Sequence, residues 1–213
     1  GRRGRSDVEY GSCCIDRNLP GCDMPHWSGD SEYYAVTYTT ENIEKKLILS
    51  SEEIRYGIFA DVCLDDSFKI EGCDVSETSF TGSEWGCFDI IDSQFMNVVC
   101  IRMHVNAGSW IGTKFEDVDL TAADLRKFCL KDCQITHGDF IGARLIGGGF
   151  DGCKLSDTSF EGAVLQNVSF DGVALKDVSF DGAVLKDVSF DGAVLHNVSF
   201  DGVDLETVSG LEG

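Results

Sequence analysis

Residues 168–177 read Val168-Ser169-Phe170-Asp171-Gly172-Val173-Ala174-Leu175-Lys176-Asp177, and this unit recurs almost unchanged with its phenylalanine at Phe180, Phe190 and Phe200. A leucine stands midway between successive phenylalanines, so every fifth residue is apolar. The frame runs from Ile70 to Leu205 without a slip, which makes 28 consecutive apolar centres. A period of five fits neither an α-helix nor a β-strand, whose side chains repeat every ~3.6 and ~2 residues. The chain is therefore built from structural repeats.

The residues beside the centres favour turns. Asp-Gly follows each late phenylalanine, as in Asp171-Gly172 and Asp181-Gly182, and Asp or Asn stands two residues after each leucine from Leu165 to Leu195, as in Asp177. Glycine, asparagine and aspartate tolerate the left-handed conformations that turns require. We therefore predict a backbone that turns a corner every five residues. Four corners close a square coil of about 20 residues, and stacked coils pair as parallel strands about 4.8 Å apart.

Because each coil spans four units, the 28 centres give about seven coils and a rod about 30–35 Å long. The later aromatic centres are predicted to form two columns on opposite faces, Phe160/Phe180/Phe200 and Phe150/Phe170/Phe190. The leucines then occupy the other two faces. Two positions before each of the later centres stands a small residue, such as Ala163 or Cys153, which is predicted to fill the corner.

This pattern resembles the pentapeptide-repeat family, whose members form a right-handed quadrilateral β-helix. The resemblance covers roughly residues 68–207. One departure concerns the position just before the centre, where the family usually has Asp or Asn. Here that position holds Ser, as in Ser169, or Val or Ala, as in Val164 and Ala174. The resemblance implies a mainly β fold, a right-handed quadrilateral parallel β-helix of about seven coils.

The segment before the repeats predicts a small N-terminal α/β cap. Residues 33–38 favour a strand, and residues 40–49 favour a helix with Thr40 as its N-cap. The apolar residues after them enter the rod one residue out of frame, so we expect one extra residue around residues 65–67. We divide the chain into an irregular arm and cap (1–58), the β-helix (59–207) and a tail (208–213), and assign residues 32–58 to the cap that covers the first coil.

Interface candidates lie mainly in the N-terminal arm and at the far end of the rod. They are the basic cluster Arg2, Arg3 and Arg5, the aromatic residues Trp27, Tyr33 and Tyr34, and Leu205 in the last coil. Exposed aromatic and arginine side chains are frequent anchors of protein interfaces. An open last coil also exposes strand edges, which favours an interface at the C-terminal end.

The ten cysteines fall into two groups. Cys13, Cys14 and Cys22 lie outside the repeats and are candidates for disulfide bonding, with free thiols or a metal site that includes His26 as the alternatives. Cys133 and Cys153 are one coil apart. Stacked Cβ atoms lie about 4.8 Å apart, farther than the roughly 3.5–4.5 Å of a disulfide, so we expect free thiols there.

Charge and motifs limit the possible functions. The net charge of −20 argues against nucleic-acid binding. The acidic residues are predicted to stack in columns, Asp151/Asp171/Asp191 and Glu161/Asp181/Asp201, in which like charges repel. No apolar run reaches the length of a membrane span. None of the four histidines has a catalytic partner at a motif spacing, so we predict no enzyme activity, no catalytic, cofactor or metal residues, and no cofactor.

We therefore expect a non-enzymatic structural subunit, a rigid acidic rod that docks with protein partners in a larger multi-subunit assembly. The resemblance implies a plastid or thylakoid-lumen protein that associates with a membrane complex, because eukaryotic family members are often plastid proteins; a cytoplasmic protein is the alternative. A second hypothesis is a DNA mimic that binds a type II topoisomerase, as bacterial quinolone-resistance members do. A third is the repeat domain of an enzyme whose catalytic domain lies elsewhere.

Overall fold

The computed structural model describes residues 36–37, 48–50, 53–55, 57–58, 63–64 and 68–211, with side chains from residue 69 onward. All strand pairs in this part of the chain are parallel, and it contains no helix. The strands are β1 Val36–Thr37, β2 Ile48–Ser50, β3 Glu53–Arg55, β4 Gly57–Ile58, β5 Cys63–Leu64, β6 Phe68–Glu71, β7 Asp74–Ser76, β8 Glu84–Ile91, β9 Gln94–Val99, β10 His104–Ile111, β11 Lys114–Asp119, β12 Asp124–Arg126, β13 Phe128–Lys131, β14 Gln134–Asp139, β15 Arg144–Asp151, β16 Lys154–Ser159, β17 Val164–Ser169, β18 Ala174–Ser179, β19 Val184–Lys186, β20 Val188–Ser189, β21 Val194–Ser199 and β22 Val208–Ser209.

Left-handed corners explain the five-residue period. From residue 72 to residue 202 every fifth residue has a positive φ, except Cys87 and Ala107. Most of these corner residues, 20 of 25, are Gly, Asp or Asn, because these types adopt the left-handed region at least cost; the others are Glu77, Arg102, Ala122, Lys127 and His137. At Cys87 and Ala107 the backbone stays extended, so β8 and β10 each run through the corner as eight-residue strands.

Parallel pairing stacks residues that are 20 positions apart. Leu155 pairs with Leu175, and Leu165 pairs with Leu185. The predicted square coil, and with it a mainly β rod of about seven coils, is therefore confirmed. We number its faces by their centres: face I (Ile70, Ile90, Trp110, Leu130, Phe150, Phe170, Phe190), face II (Val75, Phe95, Phe115, Ile135, Leu155, Leu175, Leu195), face III (Phe80, Cys100, Leu120, Phe140, Phe160, Phe180, Phe200) and face IV (Trp85, Val105, Leu125, Leu145, Leu165, Leu185, Leu205).

Two columns of stacked phenylalanine rings form the core of the later coils. On face III the ring centroids of Phe160 and Phe180 lie 4.9 Å apart with planes 4° from parallel. On face I the rings of Phe150 and Phe170 lie 4.8 Å apart at 9°. Rings of the two columns meet edge to face, as Phe170 and Phe180 do at 89°. Burial of each ring contributes about 2–3 kcal/mol, and each aromatic pair adds about 1 kcal/mol.

The earlier coils are packed by a different device, an alternation of phenylalanine and glycine at one corner. Stacked positions in this column hold Phe88, Gly108, Phe128, Gly148 and Val168. A Cβ atom at Gly108 would lie 2.1 Å from Cζ of Phe88, and one at Gly148 would lie 2.5 Å from Cδ1 of Phe128. Each large ring therefore occupies the space that the glycine of the next coil leaves empty.

A second inward column satisfies backbone carbonyl groups. It consists of Cys73, Ser93, Thr113, Cys133 and Cys153, all nearly fully buried. Each side chain donates a hydrogen bond to the carbonyl oxygen two residues before it, for example Ser93 Oγ to Ile91 O at 2.9 Å. Cys133 and Cys153 are free thiols, as predicted.

The N-terminal strands join the same parallel ladder. Ile48 pairs with Lys69, 21 residues later, whereas Phe68 pairs with Phe88, 20 residues later. This difference confirms the predicted extra residue between β5 and β6. Val36 also pairs with a residue 21 positions away, Gly57, so a second extra residue lies between them, which the sequence analysis did not anticipate.

Two expectations for the chain ends change. The predicted helix at residues 40–49 is wrong at Ile48 and Leu49, which form β2 because they continue the parallel ladder; residues 40–47 lie outside the described residues. The predicted strand at residues 33–38 is present at Val36–Thr37. At the C-terminal end, β22 lies in the segment that was predicted to be a tail, and it pairs with β20 of the preceding coil. The 1–58 boundary of the arm and cap stays a prediction.

The Phe88–Gly108 pair provides a test of the corner packing. We expect Gly108→Ala to destabilise the protein by about 1–3 kcal/mol, because the Phe88 ring is held between Trp85 and Trp110 and cannot move aside. In a Phe88→Val background the same substitution should cost less than about 0.5 kcal/mol, since valine leaves room for the methyl group. Urea denaturation of the four proteins measures the coupling, and a Gly108→Ala variant as stable as the parent protein would contradict it.

Candidate interaction surface

Face III carries its outward side chains in two rows. One row stacks Val99, Asp119, Asp139, Ser159, Ser179 and Ser199, and the other stacks Ile101, Thr121, Ile141, Glu161, Asp181 and Asp201. We call these twelve residues the acidic face. It contains five carboxylates and three aliphatic side chains, and neither of its rows contains a lysine or arginine. The neighbouring basic residue in sequence, Arg102, lies at the corner beside Ile101.

The other faces mix their charges. The outward rows of face II hold Lys114, Lys154 and Lys176 against Asp74 and Glu116. The outward rows of face I contain Lys69 and Lys131 in addition to carboxylates. Those of face IV contain three basic side chains, Arg126, Arg144 and Lys186. The 20-residue coil therefore collects an uncompensated negative charge on one face of the rod.

Carboxylates repel one another in the middle of the acidic face. Partial burial raises the pKa of the Asp139 carboxyl above its ordinary value, and the negative charges of Asp119 and Glu161 raise it further. Asp119 pairs directly with Asp139, and Glu161 follows on the next coil. Because no cation lies between these carboxylates in the two rows, a positively charged partner would relieve their repulsion.

Toward the C-terminal coils the carboxylates also hold the backbone. Asp181 accepts hydrogen bonds from the Ser199 hydroxyl and, at 2.8 Å, from the Asp201 N–H. These bonds hold the pKa of Asp181 below its ordinary value. On face I, Asp171 accepts in the same way from Ser189 and from the Asp191 N–H. The predicted acidic columns are present. The carboxylates of Asp171 and Asp181 also bind the next coil, an attraction that the prediction of repulsion within each column did not include.

The N-terminal end of the acidic face is aliphatic. Val99 is 36% exposed and Ile141 is 41% exposed, with the half-buried Ile101 nearby. Thr121 separates Ile101 from Ile141 along their row. The acidic face thus combines exposed aliphatic side chains in its first three coils with carboxylates that begin at Asp119 and continue to Asp201.

Two other polar clusters are internally paired. On face IV, Arg126 makes a bidentate ion pair with Asp124 at 2.9 and 3.0 Å, which holds the pKa of that carboxyl below its usual range, while Arg144 lies 4.0 Å away. At the corner between faces II and III, His137 lies between Asp117 and Asp157, with N–O distances of 3.3 and 3.9 Å. Arg126 and Arg144 lie beside the carboxylate on face IV, and His137 lies beside two carboxylates, whereas the two rows of the acidic face contain no lysine, arginine or histidine.

Most of the predicted interface residues cannot be placed. Arg2, Arg3, Arg5, Trp27, Tyr33 and Tyr34 lie outside the described residues, as do the disulfide candidates Cys13, Cys14 and Cys22. Leu205 lies in the last coil and is 40% exposed, next to a shallow apolar recess lined by Leu195, Phe200 and Leu211. These residues stay predictions.

The sequence analysis recognised the column of Glu161, Asp181 and Asp201 but not the face to which it belongs. Asp119, Asp139 and the aliphatic residues were not predicted, because they lie before the regular late repeats that define the columns. Sorting every outward residue by its position within the 20-residue coil would have found them, since that position alone fixes the face.

The raised pKa of Asp139 predicts a gain in stability when its charge is removed. A raised folded-state pKa means that ionised Asp139 destabilises the fold at neutral pH, and that this penalty is absent below the unfolded-state pKa of about 3.9. We expect Asp139→Asn to increase the free energy of unfolding at pH 7 by about 0.5 kcal/mol. The gain should vanish as the pH falls through the folded-state pKa of Asp139.

Asp151→Asn on face I changes the net charge equally and serves as the control. Thermal unfolding of both variants from pH 3 to pH 8 makes the comparison. An equal gain in the two variants would attribute the effect to overall charge and not to the three carboxylates of the acidic face.

Comparison with known proteins agrees with the observed coil. A family model described as pentapeptide repeats (nine copies) matches residues 130–184 and 150–209. No curated protein sequence matches the chain. The described part of the chain also has no helix long and apolar enough to cross a membrane.

Several solved structures have a similar repeat. HetL, involved in heterocyst differentiation regulation in the cyanobacterium Nostoc sp. strain PCC 7120, is 14% identical, with 81% of this chain and 86% of HetL covered and a TM-score of 0.38. A trypsin-treated QnrB1, a plasmid-mediated fluoroquinolone resistance protein, is 17% identical, with 76% and 88% covered and a TM-score of 0.41. At these scores the overlays add no argument of their own. The chain is thus similar to pentapeptide-repeat proteins over residues 130–209, and the same five-residue period extends from Ile70 to Leu205.

Proposed function

We propose that the protein is a non-enzymatic docking rod that binds protein partners through the acidic face, as a subunit of a larger assembly. The observation that carries this proposal is the segregation of charge, since five carboxylates stand on face III with no lysine or arginine in their rows. A basic partner surface would relieve the repulsion at Asp139 and cover Val99 and Ile141 at the same time.

Rigidity favours the same role. The core of the later coils is a continuous stack of phenylalanine rings, and the parallel ladder fixes the spacing of the outward rows at about 4.8 Å. A surface that is ordered before binding loses little conformational entropy when a partner docks. Repeat proteins commonly use such extended surfaces for binding.

A DNA mimic that binds a type II topoisomerase is the second candidate, and the same acidic face favours it. The lysines on face II count against it, because a duplex mimic needs negative charge on more than one side. Location in a plastid or the thylakoid lumen, and membership of a membrane-associated complex, are also proposals, with a cytoplasmic protein as the alternative.

Charge reversal on the acidic face tests the docking role. We expect Asp139→Lys/Glu161→Lys to lose at least four fifths of the partner that co-purifies with the untagged protein from its source cells, as quantified by mass spectrometry. Neither side chain is needed to hold a neighbouring coil, so the fold should survive, which circular dichroism checks.

The matched control is Glu116→Lys/Asp151→Lys, which makes the same change in net charge on faces II and I. It should keep most of its partner. Equal losses in both variants, or full retention in both, would contradict docking through the acidic face. Inhibition of topoisomerase supercoiling by the parent protein, lost only in the face III variant, would favour the DNA-mimic candidate.

A further inference from the structure

The exposed side chains of face III also restrict which secondary structure of a partner can bind there. Resting on the proposed function, we propose that its occupant is a basic amphipathic α-helix of the partner, which lies along the rod axis. Aliphatic side chains of this helix pack on Val99, Ile101 and Ile141, and lysine or arginine side chains on successive turns pair with the carboxylates.

Spacing distinguishes a helix from an extended strand. Glu161, Asp181 and Asp201 stack on three successive coils, because the N–H groups of Gly142, Gly162 and Gly182 bond to their carbonyl oxygens at 2.9, 3.0 and 2.8 Å. Their carboxylates therefore recur about every 4.8 Å. One helical turn rises about 5.4 Å, so a basic residue on each turn is about 1 Å out of step after two coils. Flexible lysine and arginine side chains absorb that difference.

An extended peptide fits the rows less well. Its side chains on one side recur about every 6.6–6.8 Å, so successive basic residues are about 4 Å out of step after two coils. Its second basic residue would already lie about 2 Å past the second carboxylate, between two coils, and its third would lie about 4 Å past the last carboxylate. The edge of the sheet is not available to such a peptide along this face either, because the backbone groups of stacked coils already pair with each other.

Charge selects face III among the four faces. A helix with a basic stripe would meet Lys114, Lys154 and Lys176 on face II. On face IV it would meet Arg126 and Arg144, with Asp124 already paired. Only on face III do the two outward rows between residues 79 and 201 offer carboxylates without a competing lysine or arginine.

The aliphatic patch fixes the pattern of the helix. Val99 and Ile101 lie two coils before Asp139 and Ile141, a distance of about 10 Å along the rod. That distance corresponds to about two helical turns. The partner helix should therefore carry leucine-like residues over two turns at one end, followed by three turns with a basic residue facing the rod.

Two synthetic peptides provide the test with the full-length chain. The first has two leucines and three arginines placed on one helical face in this order, and the second has the same composition with the five residues distributed around the helix. We expect the first peptide to bind at least ten times more tightly in fluorescence anisotropy at low salt, and to gain helical circular dichroism on binding. Asp139→Lys/Glu161→Lys should lower this affinity at least tenfold, and Glu116→Lys/Asp151→Lys less than threefold.

The outcomes separate this inference from the proposed function. Equal affinity of the two peptides, or no binding of either, would overturn the helical occupant, while selective loss of the native partner in the face III variant would still stand. Equal weakening in both charge-reversal variants would overturn the acidic face as a docking surface, and the helical occupant with it.

Discussion

The left-handed corner two residues after each centre is the constraint on which this molecule depends. It turns the chain every five residues, sends the centre and the residue two before it into the core, and leaves the remaining side chains outside. Repetition of the corner makes coils of equal length, and equal coils place identical side chains above one another. The phenylalanine stacks follow from this regularity, since rings about 5 Å apart on successive coils lie in contact.

The same regularity sorts the surface. Position within the 20-residue coil decides the face, so a column of substitutions changes one face and leaves the other three as they were. The carboxylates of face III therefore form a continuous surface although they come from residues 119–201 of the chain. Some also hold the rod together, as Asp181 does for the turn at Asp201. A rigid core that needs only two positions in five leaves the others available for recognition.

The core of the later coils could be predicted from the sequence because one period accounts for it, and Phe160 above Phe180 follows by counting. The pairing of Phe88 with Gly108 could not, since it depends on how a ring and an empty position meet across two coils. The helix predicted at residues 40–49 is wrong at Ile48, which forms a strand because its pairing with Lys69 outweighs the local helix propensity. The segregation of charge on face III is encoded in the sequence. It becomes visible only when every outward residue is assigned to a face by its position within the 20-residue coil.

Carboxyl-group footprinting of the protein with its native partner tests whether face III is the docking surface. Carbodiimide labelling, read residue by residue with mass spectrometry, reports which aspartates and glutamates the partner covers. The account predicts protection of Asp119, Asp139 and Glu161 on face III, with Glu116 on face II and Asp151 on face I labelled as in the free protein. Protection of Glu116 and Asp151 with Asp139 and Glu161 still labelled would contradict it.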